Sequence, residues 1–115
     1  MPGIFSMLFG KNDKIKMCNS SELVTALQND KDAVLIDVRT KEEYQSVHIP
    51  KAKLIDIYSP NFVKEISKLN KEKNYYLYCR SGARSMNAAT EMIKLGFNNV
   101  TNLKGGIMSW DGPTE

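Results

Sequence analysis

One stretch of the chain concentrates its chemistry: YYLYCRSGARS, residues 75–85. An apolar run ends in Cys79, and Arg80, Ser81, Gly82, Ala83, Arg84 and Ser85 follow before a helix-like segment. A loop that joins a strand end to a helix start can turn successive backbone N–H groups inward as an anion-binding nest. The positive end of the helix dipole faces the same spot. Gly82 permits the tight curl. Arg80 and Arg84 add charge that no acid inside the loop offsets, and guanidinium forks match anions better than ammonium groups do. All of these features stabilise negative charge on the Cys79 sulfur. An ordinary thiol titrates near about 8.5, and such surroundings lower that value. The loop therefore predicts a thiolate-forming nucleophile at Cys79, rather than a small buried hydrophobe.

The spacing narrows the electrophile. Four residues separate Cys79 from Arg84, whereas cysteine-dependent phosphatases place one more between their cysteine and arginine. A tighter ring of amides suits one extra sulfur, held as a persulfide anion, better than a phosphate. Sulfur transfer is the expectation, with phosphoryl transfer or arsenate reduction on the same scaffold as the alternative.

Positioning such a loop takes strands and helices in alternation. KIKMC (14–18) reads as a short strand, and NSSELVTALQND as a helix capped by Asn19 with Glu22 as return partner. AVLIDV (33–38) is a continuous apolar run of the kind buried on both faces of a parallel sheet. TKEEYQSVH predicts a short helix capped by Thr40 and stopped by Pro50, and AKLIDI (52–57) a third strand. SPNFVKEISKLN predicts a helix with Ser59 as cap, Pro60 at its first position, and Phe62, Val63, Ile66 and Leu69 on one face. NYYLYC (74–79) is a fourth strand. SMNAATEMIKLGF is a helix with Met86, Ala89, Met92 and Ile93 inward and Gly96 at its end. NNVTNLKGG supplies a last strand and a turn, and IMSW a helical turn. The fold class is α/β, a mostly parallel sheet with helices on both faces. Ligands in such sheets bind beyond the carboxyl ends of the strands. Cys79 lies at one strand end, and Asp37, Val38 and Arg39 at another.

Composition sets the limits. The 115 residues fit one domain, divided here into an amino-terminal arm (1–13) and a folded unit (14–115). A hydrophobic fraction of 42% and a charged fraction of 25% are ordinary for a globular protein. The net charge of +3 comes mainly from scattered lysines, which gives no nucleic-acid-binding stripe. The apolar start, MPGIFSMLFGKNDK, lacks the basic leader and cleavage pattern of a secretory signal. It reads as an arm that frays or packs on the domain, and no membrane partner is expected. Two cysteines, Cys18 and Cys79, without metal-like spacing, fit a reducing compartment and predict the cytoplasm.

Three segments in order resemble the single-domain rhodanese-like sulfurtransferases. LIDVRTKEEYQSVHIPKA is similar to that family's first signature, YCRSGARS to its active-site loop and LKGGIMSW to its closing motif. The likeness spans about residues 14 to 112. It implies a five-stranded sheet flanked by helices. It also implies a sulfur carried on Cys79 and a cradle from the backbone of Arg80, Ser81, Gly82, Ala83 and Arg84. Asp37 and Arg39 would support the strand end, and Gly105 and Gly106 would turn the chain ahead of Trp110. Val47 and Lys51 stand where the family usually has glycine, which changes the turn around His48.

The implied enzyme takes a sulfur from thiosulfate or a similar anionic donor, and passes it to cyanide in an assay or to a protein or small-molecule thiol in a cell. It would need no cofactor or metal and would act as a monomer. A sulfur-carrier or docking module with little turnover is the non-enzymatic alternative. The remaining candidates read as structural. His48 is expected in a polar network. Cys18 reads as a packed thiol rather than a resolving one. Asp37 is a strut for Arg39, because buried carboxylates need partners. Tyr75, Tyr76 and Tyr78 read as sheet packing, and Trp110 as a core anchor.

Overall fold

The strand that delivers Cys79 lies at the centre of the molecule. The computed structural model describes residues 14–115, so the arm expected over 1–13 lies outside the described residues. In chain order the elements are β1 (Ile15–Cys18), α1 (Ser20–Asn29), β2 (Val34–Asp37), α2 (Lys41–Ser46), β3 (Lys53–Leu54), α3 (Phe62–Ser67), β4 (Tyr75–Tyr78), α4 (Ala83–Lys94) and β5 (Val100–Leu103). A 3₁₀ turn, Gly106–Ser109, follows. The five strands form one sheet in the order β1-β5-β4-β2-β3, with every pairing parallel.

From β2 the chain moves outward to β3, and from β4 it moves the other way to β5. The order therefore reverses between β2 and β4, which opens a crevice above their carboxyl ends. The segments 37–39 and 79–85 meet there because of this topology.

Each face of the sheet buries its own cluster. One holds Ile36, Val38, Leu77 and Val100 against Phe62 and Ile66 of α3 and Ala88, Ala89 and Met92 of α4. The other holds Leu35, Tyr78 and Leu103 against Leu23 of α1, with Tyr44 of α2, Ile107 and Trp110 at its margin. Fully burying a side chain such as Leu23 or Ile66 contributes about 1.5–3 kcal/mol. Such burial, of Phe62 and Ile66, holds the six-residue α3 in place, while α2 has no fully buried residue and leans its partly buried Tyr44 on the cluster; isolated helices so short are unstable in water.

Local signals set the first two helix starts. Asn19 and Glu22 form a reciprocal capping box on α1, as Thr40 and Glu43 do on α2. Gly96, at φ +99°, lets the chain leave α4 in a left-handed turn.

Two expectations are corrected. The third strand pairs only at Lys53–Leu54, not over 52–57, because the chain bends into a turn at Asp56–Ser59. Ile55 and Ile57 still donate to the carbonyls of Asp37 and Val38, at 2.9 and 3.1 Å. The helix expected from Ser59 begins at Phe62. Ser59 instead folds its hydroxyl onto the Asn61 N–H at 3.1 Å and makes a separate turn. Val63, expected on the buried face, stands about 100° around the helix from Phe62 and is 48% exposed.

Candidate active site

Cys79 is the first residue past β4 and is 1% exposed. The chain then curls back over its sulfur. Gly82, at φ +108°, takes a left-handed conformation that a side chain would resist, and α4 begins at the next residue. The Gly82 N–H donates to Sγ at 3.1 Å, and the Ser85 hydroxyl lies 3.4 Å from Sγ. Burial by itself pushes the thiol's pKa up. The Ser85 hydroxyl and the amides of Ser85, Gly82 and Ser81 outweigh it, and the net shift is downward.

The loop is braced from the opposite side by the 3₁₀ turn. Ile107 N–H donates to the Cys79 carbonyl at 2.9 Å, and Met108 N–H to the Arg80 carbonyl at 3.1 Å. In a trans peptide the N–H points away from the C=O. Fixing these two carbonyls outward aims the following amides, of Arg80 and Ser81, back into the loop. The close approach depends on Gly106. A Cβ there would stand 2.5 Å from the Cys79 carbonyl oxygen and still closer to that of Arg80.

The two loop arginines play different parts. Arg84 is not uncompensated, as the loop sequence suggested. Its guanidinium makes a two-pronged ion pair with Glu43 of α2, at 2.8 and 2.9 Å. The hydrogen bonds from Arg84 hold the Glu43 carboxyl down at about 2, well below the usual carboxylate range. Arg80 is exposed and has no ion-pair partner among the described residues. It lines an open hollow of about 400 Å³ beside the loop, with Val47, Ile107 and Met108. A larger hollow, near Leu27, Asp30 and Lys51, is lined by no cysteine.

Asp37 and Arg39 sit under the rim, fully buried and 3% exposed. The Arg39 guanidinium binds Asp37 Oδ2 at 2.7 Å and the Val47 carbonyl at 2.7 Å, and the Tyr78 hydroxyl donates to Asp37 Oδ2 at 2.6 Å. The network braces β2, β4 and the 47–49 segment without reaching the sulfur. His48 is held apart as well: its ring stacks on Tyr44, Nδ1 donates to the Tyr44 carbonyl at 2.8 Å, and Nε2 faces Glu115. Cys18 lies in the other core cluster, and burial, aided by Glu22, raises its thiol to about 11.

Two participants were not anticipated. Glu43 was not singled out in the sequence; it closes the capping box of α2, and both of its carboxylate oxygens bind Arg84. Asn102 of β5 is 1% exposed; it donates from Nδ2 to the Gly82 carbonyl at 3.2 Å and accepts from the Ser85 hydroxyl at 2.5 Å. The one available signal was an amide inside the short strand VTNL.

The comparisons with known proteins agree with this architecture. A family model described as "Rhodanese-like domain" matches residues 20–112. YtwF of Bacillus subtilis is 36% identical over 102 residues, covering 89% of this chain and 96% of that protein. A protein of Allochromatium vinosum named "Sulfurtransferase" is 34% identical over 92 residues, covering 80% and 84%. The crystal structure of a rhodanese-like domain protein from Staphylococcus aureus superposes with a TM-score of 0.73 at 32% identity, over 87% of this chain and 96% of that one. With its parallel sheet, its strand-end cysteine loop and this match across most of its length, the chain belongs to the rhodanese-like domain family, among whose members are sulfurtransferases.

Proposed function

We propose that the protein is a sulfurtransferase that carries one sulfane sulfur on Cys79. The observation that supports this reading most directly is the sulfur's setting: a buried thiol whose ionisation is favoured by the Gly82 N–H at 3.1 Å and neighbouring loop amides. The Cys79 thiolate attacks the outer sulfur of thiosulfate. A new S–S bond forms, the donor's own S–S bond breaks, and sulfite leaves with the electron pair. The resulting persulfide keeps its negative charge inside the amide ring. An acceptor nucleophile, cyanide in an assay or a thiolate in a cell, then takes the outer sulfur and returns the Cys79 thiolate. This is covalent catalysis with two half-reactions. No step needs a proton-transferring side chain.

Arg80 is the guanidinium free to meet the anionic donor, since Arg84 is engaged by Glu43. The same engagement disfavours phosphate chemistry, where the arginine would have to clamp the phosphoryl oxygens. The reading describes a monomer working in the reducing cytoplasm, which suits its two free thiols.

Intact-mass measurement tests the proposal. After incubation with thiosulfate the wild type should gain one sulfur atom, labile to cyanide, and Cys79→Ala none. Equal loading of both proteins would overturn the assignment. Cys79-dependent hydrolysis of a phosphate ester, without sulfur loading, would replace it with a phosphatase. Stable loading with little turnover toward any acceptor would make the protein a carrier.

A further inference from the structure

The Ser85 hydroxyl has one proton and three neighbours that could accept it. Its Oγ lies 2.5 Å from Asn102 Oδ1, 3.2 Å from the Gly82 carbonyl oxygen and 3.4 Å from the Cys79 sulfur. The orientation of Asn102 is fixed, because its Nδ2 donates to the same Gly82 carbonyl at 3.2 Å. Turning the amide over would set two acceptor oxygens against each other there, so Oδ1 is the atom that faces Ser85. Two oxygens 2.5 Å apart need a proton between them. Neither the amide oxygen nor any other group at that contact carries one, so the proton is that of Ser85.

We propose that Asn102 is a positioning residue that holds the Ser85 hydroxyl proton away from the Cys79 sulfur and so restrains the acidity of the thiol. With its proton drawn to Asn102, the Ser85 hydroxyl gives a Cys79 thiolate less of the hydrogen bond that would otherwise stabilise it. The loop amides favour the anion, and Asn102 competes with the sulfur for the Ser85 proton. The balance keeps the thiol from becoming too weak a nucleophile, because sulfur loses reactivity as its pKa falls, and the best attacking thiol titrates near ambient pH. The inference rests on Cys79 acting as the attacking thiolate. The charged groups around Cys79 are Arg80 on the loop, Arg84 of α4 with Glu43 of α2, and the Asp37–Arg39 pair at the end of β2. The variants below alter none of them.

The experiment is the pH dependence of iodoacetamide alkylation, read on the Cys79 peptide by mass spectrometry. It needs no sulfur donor, so its outcome is independent of persulfide loading, and Cys18 does not enter. Asn102→Leu removes, at similar volume, the nearer of the two acceptors that compete with the sulfur, while the Gly82 carbonyl keeps the Met86 N–H at 3.1 Å and stays 3.2 Å from Ser85 Oγ. The alkylation midpoint should fall by about one pH unit, a tenfold gain in acidity. Ser85→Ala should raise the midpoint more in the Asn102→Leu background than in the wild type. An unchanged or raised midpoint in Asn102→Leu overturns the proposal, as does an equal effect of Ser85→Ala in both backgrounds. If Asn102→Leu does not fold, proton NMR of the wild type decides. The Ser85 hydroxyl resonance should stay far downfield while Cys79 ionises, and its departure as the thiolate forms would overturn the proposal.

Discussion

At the scale of single residues, the site separates two arginines that the sequence presents as equals. Arg80 faces the open hollow, while Arg84 is committed to Glu43. On the proposed reading, with thiosulfate as donor, Arg80→Ala should raise KM about tenfold with little change in kcat, the size expected for one lost charge-assisted contact. Steady-state kinetics at fixed ionic strength would measure it. Glu43 gives a pH prediction with a definite sign. Its folded pKa is depressed to about 2 by the Arg84 hydrogen bonds. The ion pair therefore contributes stability that is present above the ordinary carboxylate range and is lost as pH falls toward about 2. The pair is partly solvated, so screening limits it to about 1 kcal/mol. Glu43→Gln should cost roughly that at pH 7 and clearly less near pH 2, where the folded carboxyl is half protonated, as read by urea denaturation at the two pH values.

At the scale of elements, the cysteine loop is shaped by a segment that follows it by more than twenty residues. The 3₁₀ turn Gly106–Ser109 donates two backbone N–H groups to the loop's carbonyls and so aims the loop's own amides. Gly106→Ala puts a methyl group 2.5 Å from the Cys79 carbonyl oxygen, with the Arg80 carbonyl nearer still. Backbone atoms cannot yield as a flexible side chain can, so the turn must lift away. The expected result is a loss of about 2–3 kcal/mol together with a raised Cys79 thiol pKa. Thermal denaturation and the pH profile of alkylation measure the two effects. A destabilised variant with unchanged thiol acidity would show that the turn only packs against the loop.

At the scale of the whole molecule, the crevice between β2 and β4 is closed underneath by one buried polar network. Asp37 accepts from Arg39 and from Tyr78, Arg39 reaches the Val47 carbonyl, and the Ile49 N–H donates to the Tyr78 hydroxyl at 3.1 Å. Three separate parts of the chain are joined at one carboxylate. Asp37→Ala leaves the Arg39 guanidinium buried without its counter-ion, which costs about 3–5 kcal/mol. Tyr78→Phe removes one donor and one acceptor and should cost about 1–2 kcal/mol. Both losses should appear as lowered thermal midpoints, with Asp37→Ala the larger. A smaller loss for Asp37→Ala than for Tyr78→Phe would mean that the carboxylate is not the hub.

Much of this was written into the chain locally. The alternation of buried strands with capped helices, the capping boxes at Asn19 and Thr40, the helix end at Gly96 and the cysteine loop at a strand end are short-range features, readable because helix caps, glycine conformations and hydrophobic periods act over a few residues. What the sequence by itself determined was the parallel α/β architecture and the thiol that stands at its rim. Only the tertiary structure decided who surrounds that thiol. Glu43 neutralises Arg84 across 41 positions, Asn102 claims the Ser85 proton across 17, and Ile107 and Met108 brace the loop. Such pairings depend on which side chains strand order and helix packing bring within about 3 Å, and no local period or spacing carries that information.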